Sequence, residues 1–77
     1  MKDEISEKIV EIVGESVDPL ETKEVLEKLR TEITDLSRSK LMYRLNVLRG
    51  DGEIQGKSVG SGKGVWIWWK ADRINDR

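Results

Sequence analysis

Apolar residues in the first part of the chain recur with the period of an α-helix. Four of them lie at spacings i, i+4, i+7 and i+8 on one side of a helix predicted over residues 3–15: Ile5, Ile9, Ile12 and Val13. Asp18-Pro19 then breaks the pattern, because the residue before a proline disfavours helical backbone. Leu20 and Glu21 are expected to form a very short strand after this break.

The next apolar group predicts a second helix over residues 23–30. Its inward side carries Val25, Leu26 and Leu29, and the hydroxyl of Thr22 is placed to act as the N-cap. A turn over residues 31–36 should follow, in which Ile33 continues the apolar contact.

The third helix is predicted over residues 37–50, and its two sides differ. Leu41, Leu45 and Leu48 lie at i, i+4 and i+7 and form the inward side. At about 100° per residue, Ser39, Tyr43 and Asn46 fall on the opposite side. The N-cap of this helix has three alternatives: Thr34, Asp35 and Ser37. The helix should therefore pack through leucines and present a polar, aromatic and basic face to solvent.

The remaining residues predict a β-hairpin. Glycines at 50 and 52 end the third helix, and strands are expected over residues 53–59 and 65–70. The glycine-rich segment 60–64 forms the tip and extends Lys63 away from the body, and residues 71–77 form a tail. The element order α-β-α-α-β-β is that of a winged helix, an α+β fold in which a three-helix bundle is followed by a C-terminal hairpin.

The composition predicts one folded domain of 77 residues, because apolar residues make up 36% of the chain alongside 38% charged residues. The chain has no cysteine, so a cytoplasmic protein without disulfides is expected. The charged start has no apolar segment behind it, and no apolar run approaches the about 18 residues of a membrane span. Neither a secretion signal nor a membrane partner is therefore expected.

Charge is distributed unevenly along the chain. Residues 1–36 contain 11 acidic and five basic side chains, whereas residues 37–77 contain four acidic and nine basic side chains. The second half of the chain is therefore basic although the net charge of the whole chain is −1. This matters because the local electrostatic potential, and not the total charge, attracts a polyanion. The alternative is that these charges form an ordinary solvated surface.

The residue types argue against catalysis. Without histidine or cysteine the chain cannot form a Ser-His-Asp triad, a thiol nucleophile or the commonest zinc sites. Carboxylate pairs such as Glu7 and Glu11 have the spacing of a solvated helix surface, with no polar cluster that would make one of them a general acid. We expect neither an enzyme nor a bound metal or cofactor.

Residues 36–54, LSRSKLMYRLNVLRGDGEI, resemble the recognition helix and wing entry of bacterial and archaeal winged-helix regulators. In those families small polar residues precede an apolar residue, a tyrosine or arginine, and a Leu-x-x-Leu-x-x-x-Gly-x-Ile pattern. The resemblance extends over about residues 5–70, and GVWIWW at 64–69 is similar to the wing strand of FaeA-like fimbrial regulators. It implies a small prokaryotic transcription regulator whose partner is double-stranded DNA.

The resemblance also implies how DNA would be bound. The third helix would enter the major groove, and the hairpin tip would reach the neighbouring backbone or minor groove. The candidates for reading base edges are Arg38, Ser39, Met42, Tyr43 and Asn46. The candidates for phosphate contacts are Ser37, Lys40, Arg44, Lys57 and Lys63. Among these, Arg44 is expected near the second helix.

The three tryptophans leave alternatives open. Strand alternation places Trp66 and Trp68 on one face and Val65, Ile67 and Trp69 on the other. One face should pack against the first and third helices, while the other is covered by the tail, by a second copy in a homodimer, or by a protein partner. The alternative function is a protein-interaction module in which Trp66 or Trp68 anchors the partner. Binding of RNA or single strands is a third alternative.

Overall fold

The computed structural model describes residues 3–60 and 64–71. Its elements, in chain order, are α1 (Glu4–Glu15), β1 (Leu20–Glu21), α2 (Thr22–Leu29), α3 (Arg38–Gly50), β2 (Ile54–Val59) and β3 (Val65–Lys70). This is the predicted α+β winged-helix fold, and each helix or strand of the prediction begins and ends within one residue of its observed bounds. Lys63, predicted to lie at the hairpin tip, and residues 72–77 of the predicted tail lie outside the described residues.

Two helices begin at side-chain N-caps. The Asp3 carboxylate accepts a hydrogen bond from the Ser6 N–H at 2.9 Å at the start of α1. The Ser37 hydroxyl oxygen accepts from the Lys40 N–H at 3.1 Å at the start of α3, which decides between the three predicted alternatives. Both caps satisfy donors that lack a partner inside the helix.

The prediction that Thr22 is the N-cap of α2 is wrong. Glu21 precedes the helix, and its N–H donates to the Glu24 carboxylate at 2.7 Å. Thr22 is the first helical residue, and its buried hydroxyl accepts a hydrogen bond from the Trp68 indole N–H at 2.9 Å. The hydroxyl that the local sequence assigned to the cap is therefore bound by the indole of a residue 46 positions away.

The turn between α2 and α3 is fixed by an arginine. The guanidinium of Arg30 donates twice to the carbonyl oxygen of Leu36, at 3.0 and 2.8 Å. Leu36 is buried in the core, and Ile33 packs against the same core from within the turn. These contacts set the position at which α3 begins.

The three strands form one antiparallel sheet in the order β1-β3-β2, so β3 is central. Trp68 lies opposite Leu20 of β1 and opposite Gly56 of β2. A Cβ on Gly56 would lie 2.3 Å from the Trp68 ring, so only glycine leaves room for the indole at this position. The face of β3 that carries Trp66 and Trp68, called the inner face below, is covered by the helices.

The core joins the inner face of the sheet to all three helices. Its buried apolar members are Ile9, Val13, Leu20, Val25, Leu26, Leu29, Leu36, Leu41, Leu45, Leu48, Ile54 and Trp68. The predicted leucine stripe of α3 is thus fully inside. Within the described part of the chain, every helix is too short or too polar to cross a membrane.

Candidate nucleic-acid interface

The free face of α3 has the character that the sequence predicted. Ser39, Lys40, Tyr43 and Asn46 are exposed, with 67% of the Tyr43 surface accessible. Because α3 packs through Leu41, Leu45 and Leu48, these side chains are directed to solvent on the other side. The sequence of α3 contains four basic residues and no acidic residue: Arg38, Lys40, Arg44 and Arg49.

A cleft separates the start of α3 from the hairpin. It has a volume of about 460 Å³ and is lined by Glu21, Thr22, Lys23, Arg38, Met42, Gly64, Val65 and Trp66. Arg38 of α3 and the entry to β3 therefore border one depression. We call this depression together with the free face of α3 the α3–wing surface.

Met42 and Trp66 form the apolar part of the cleft. Both are partly buried and pack against the core. The Trp66 ring stacks on Trp68 with a centroid distance of 5.4 Å, and the Arg49 guanidinium lies 5.1 Å from the centre of the Trp66 ring. This cation–π contact links the last turn of α3 to the hairpin.

Asn46 keeps only part of its hydrogen-bonding capacity free. Its side-chain Nδ2 donates to the Met42 carbonyl oxygen at 2.9 Å, one helical turn earlier. The side-chain carbonyl oxygen and a second amide hydrogen remain, and these are the groups that a bidentate contact to adenine would use.

Arg44 of α3 is bound to the start of α1. Its guanidinium forms an ion pair with the Asp3 carboxylate, so it lies beside the start of α1 and not near α2 as the helical angle had predicted. The Ser6 N–H, and after it the Arg44 guanidinium, hold the pKa of Asp3 below its ordinary value of 3.8. A phosphate contact from Arg44 would require this pair to open.

Lys57 lies on the opposite side of the sheet from α3. It pairs in register with Ile67, and cross-strand neighbours point to the same face, which is the face without helices. This outer face carries Val65, Ile67 and Trp69. The structure therefore separates Lys57 from the α3–wing surface.

Trp68 cannot serve as a surface anchor for a partner. Its side chain is fully buried, and its indole N–H is satisfied by Thr22. The expectation that Trp68 contacts a partner is thus corrected, because Gly56 and the helices enclose the ring. The face of β3 that remains open is the one with Trp69.

The other predicted phosphate contacts have simpler positions. Ser37 is exposed, and its hydroxyl oxygen caps α3 while its hydroxyl hydrogen remains able to donate. Lys40 is exposed on the first turn of α3. Lys63 lies outside the described residues.

Two basic residues near the α3–wing surface were not predicted from the sequence. Lys23 lines the cleft with Arg38 because α2 and the turn after it bring the start of α2 close to the start of α3. Arg49, in the last turn of α3, contacts Trp66 of the hairpin. Helical periodicity gives no signal for either position, since each depends on how different elements pack together.

The fold was compared with solved structures. The ferric uptake regulator Fur of Helicobacter pylori superposes with a TM-score of 0.81 at 21% sequence identity, over 92% of this chain and 46% of the Fur chain. This chain thus spans about half the length of that Fur chain, and the likeness shows the winged-helix fold. No protein-family model and no curated protein matches the sequence.

The Fur structure has three functional metal-binding sites. The present chain contains no histidine or cysteine. Its aspartates and glutamates in residues 3–60 and 64–71 form no cluster of three or more that could hold a metal ion.

Proposed function

We propose that the chain binds double-stranded DNA through the α3–wing surface and acts as a small prokaryotic transcription regulator in the cytoplasm. The observation that carries the proposal is the joining of Arg38 and the hairpin entry in one cleft, next to a free helix face without acidic residues. Local positive charge of this kind attracts the phosphate backbone even when the whole chain is nearly neutral. That the similar fold of Fur belongs to a regulator supports the proposal.

In this proposal α3 lies in the major groove. Arg38, Ser39, Tyr43 and Asn46 face base edges, with Arg38 suited to guanine and Asn46 to adenine. Met42, at the edge of the cleft, would offer its apolar side chain to a thymine methyl group. A finer assignment to FaeA-like regulators stays a prediction.

Phosphate contacts would surround this region. Lys40 and Ser37 lie at the start of α3, and Lys23 of α2 adds a cation that lines the cleft with Arg38. Lys63 would extend the contacts from the hairpin tip. Lys57 is omitted because it lies on the outer face of the sheet, and Arg44 because it is paired with Asp3.

The experiment is a titration of a fluorescent random-sequence duplex at about 50 and 200 mM salt. We expect micromolar binding at low salt that weakens steeply with salt, as counterion release requires. Lys40→Gln should weaken binding equally on all sequences and lower the slope of log K against log salt by about one. Lys28→Gln is the matched control, because exposed Lys28 lies beside Ile12 and Glu15, away from α3.

No binding at 50 mM salt would refute the proposal. Equal losses of duplex affinity from Lys40→Gln and Lys28→Gln would show that binding depends on the total charge of the protein and not on the α3–wing surface. Competition by single-stranded DNA or RNA as effective as duplex competitor would favour a single-strand binder instead.

A further inference from the structure

The outer face of the sheet carries a groove that the proposed DNA contacts do not use. It has a volume of about 360 Å³ and is lined by Ser16, Val17, Pro19, Lys57, Ile67, Trp69 and Lys70. Ile67 and Trp69 form its floor on β3, while Val17 and Pro19 form a wall from the segment between α1 and β1. Val17 is 97% exposed, so this wall is apolar surface that the fold leaves in water.

Two lysines line this groove. Lys57 and Lys70 are both exposed and line it, and no acidic side chain is among the lining residues. Within residues 3–60 and 64–71, neither amine forms a hydrogen bond or an ion pair. The groove therefore combines an indole and aliphatic side chains with two lysine amines.

We propose that this groove binds a small aromatic carboxylate. The ring would lie on Trp69 and Ile67, against Val17 and Pro19, while the carboxylate would meet the amines of Lys57 and Lys70. Apolar walls with a few polar groups at the edge are the usual composition of small-molecule sites, and the volume falls at the lower end of their range of about 300–1,000 Å³.

The shape favours a small ligand over a polypeptide segment. The apolar lining comes from two short pieces of chain, Val17 and Pro19 before β1 and Ile67 and Trp69 of β3, whereas a docking helix or strand needs a longer surface. The charges favour an anion over a second copy docked by the same face, because two such faces would bring lysines against lysines. The site lies on the other side of the sheet from α3 and is independent of the proposed DNA binding.

The probe is 1-naphthoate, followed by two-dimensional ¹H–¹⁵N NMR of the 77-residue chain. We expect saturable shifts confined to Val17, Lys57, Ile67, Lys70 and the Trp69 indole N–H, with a dissociation constant on the order of 1 mM for an unenclosed ligand of this size. The Trp66 and Trp68 indole signals should stay in place. The uncharged amide 1-naphthamide should bind about tenfold more weakly.

Two lysine variants test the role of charge. Lys57→Gln and Lys70→Gln should each weaken 1-naphthoate binding about two- to fivefold, the size expected for an exposed ion pair, and should leave 1-naphthamide binding unchanged. Lys40→Gln, on α3, is the matched control and should leave both ligands unaffected. All three variants should keep the wild-type NMR pattern elsewhere, because none of these lysines contributes to the core.

Several results would overturn the proposal. Shifts spread over the α3–wing surface would place the ligand elsewhere. Equal affinity for the acid and the amide would mean that the groove binds the ring through apolar contacts alone and does not recognise the carboxylate. Shifts of the same groove residues on raising the protein concentration, without ligand, would identify a second copy as the occupant. Tighter binding of an acidic amphipathic peptide that 1-naphthoate fails to displace would identify a protein partner.

Discussion

Helices α1 and α3 contribute alike to the core and present opposite charges to solvent. They contain 12 and 13 residues, and each buries an apolar side against the other elements. The free side of α1 carries four glutamates: Glu4, Glu7, Glu11 and Glu15. Its one base, Lys8, is paired with Glu32. The sequence of α3, in contrast, contains four bases and no acid.

The difference teaches that packing and surface charge are set on separate sides of the same helix. Burial of leucine, isoleucine and valine decides where each helix lies, and this requirement is the same in both. Charge on the free side costs the fold little, so it can differ between the two helices and direct a polyanion to one of them. The ion pair between Asp3 and Arg44 marks the edge where the two surfaces meet.

The largest expected effect on stability comes from the apolar side that each helix packs into the core. Leu45→Ala should lower the free energy of unfolding by about 2–5 kcal/mol, because Leu45 is fully buried and its loss leaves a cavity. Val47→Ala, two residues further on and 41% exposed, should change it by no more than about 0.5 kcal/mol. Urea unfolding of both variants measures this, and similar losses would mean that α3 does not pack through its leucines.

The next effect concerns the free side of α3. Arg38→Ala should remove about 1–3 kcal/mol of discrimination at one base pair of a selected site, because a bidentate contact to guanine would be lost. Binding measured across a set of single-base variants of that site tests the prediction. A uniform loss on every sequence would assign Arg38 to the phosphate backbone instead.

A smaller effect is expected when α1 is given the charge of α3. Glu11→Lys places a base on the free side of α1, which is not part of the α3–wing surface. At about 200 mM salt the duplex affinity should change less than twofold, because charges outside the contact are screened beyond about 7 Å at this ionic strength. If the same titration showed a change as large as that of Lys40→Gln, the contrast between the helices would not direct DNA binding.

The smallest effect lies at the edge between the helices. The lowered pKa of Asp3 means that the folded state favours its carboxylate, so this group stabilises the fold above its ordinary pKa of 3.8, and the contribution disappears as pH falls through the lower, folded value. Asp3→Asn should therefore lower the thermal midpoint at neutral pH and approach wild type in acid. Asp18→Asn, in the exposed segment before β1, removes one carboxylate away from the N-cap of α1 and is the control, so the same pattern in both variants would refute the role of Asp3.

The sequence predicted the elements well because their signals are local. The leucine spacing of α3, the break at Asp18-Pro19 and the alternation in β3 each depend on a few neighbouring residues. The free face of α3 followed from the same periodicity, so Ser39, Tyr43 and Asn46 were placed correctly on it.

What failed were positions that depend on a second element. Arg44 was expected near α2, but it forms an ion pair with Asp3 at the start of α1. A helical angle gives the side of the helix on which a residue lies, and it does not say which element packs there. Lys57 was grouped with the DNA contacts by charge alone, although strand register turns it to the outer face. Lys23 was missed because it lines the cleft from another element than Arg38, and Arg49 was missed because the ring that it contacts, Trp66, belongs to the hairpin.

The sequence by itself thus determined the order of helices and strands, the leucine side of α3 and the separation of an acidic first half from a basic second half. Only the tertiary structure decided that Trp68 is enclosed and Trp69 is not, that Thr22 bonds an indole and not its own helix, and that Arg38 shares a cleft with the hairpin. The physical reason is that periodicity sets which side of an element is apolar, whereas the packing of several elements sets which polar groups and rings meet.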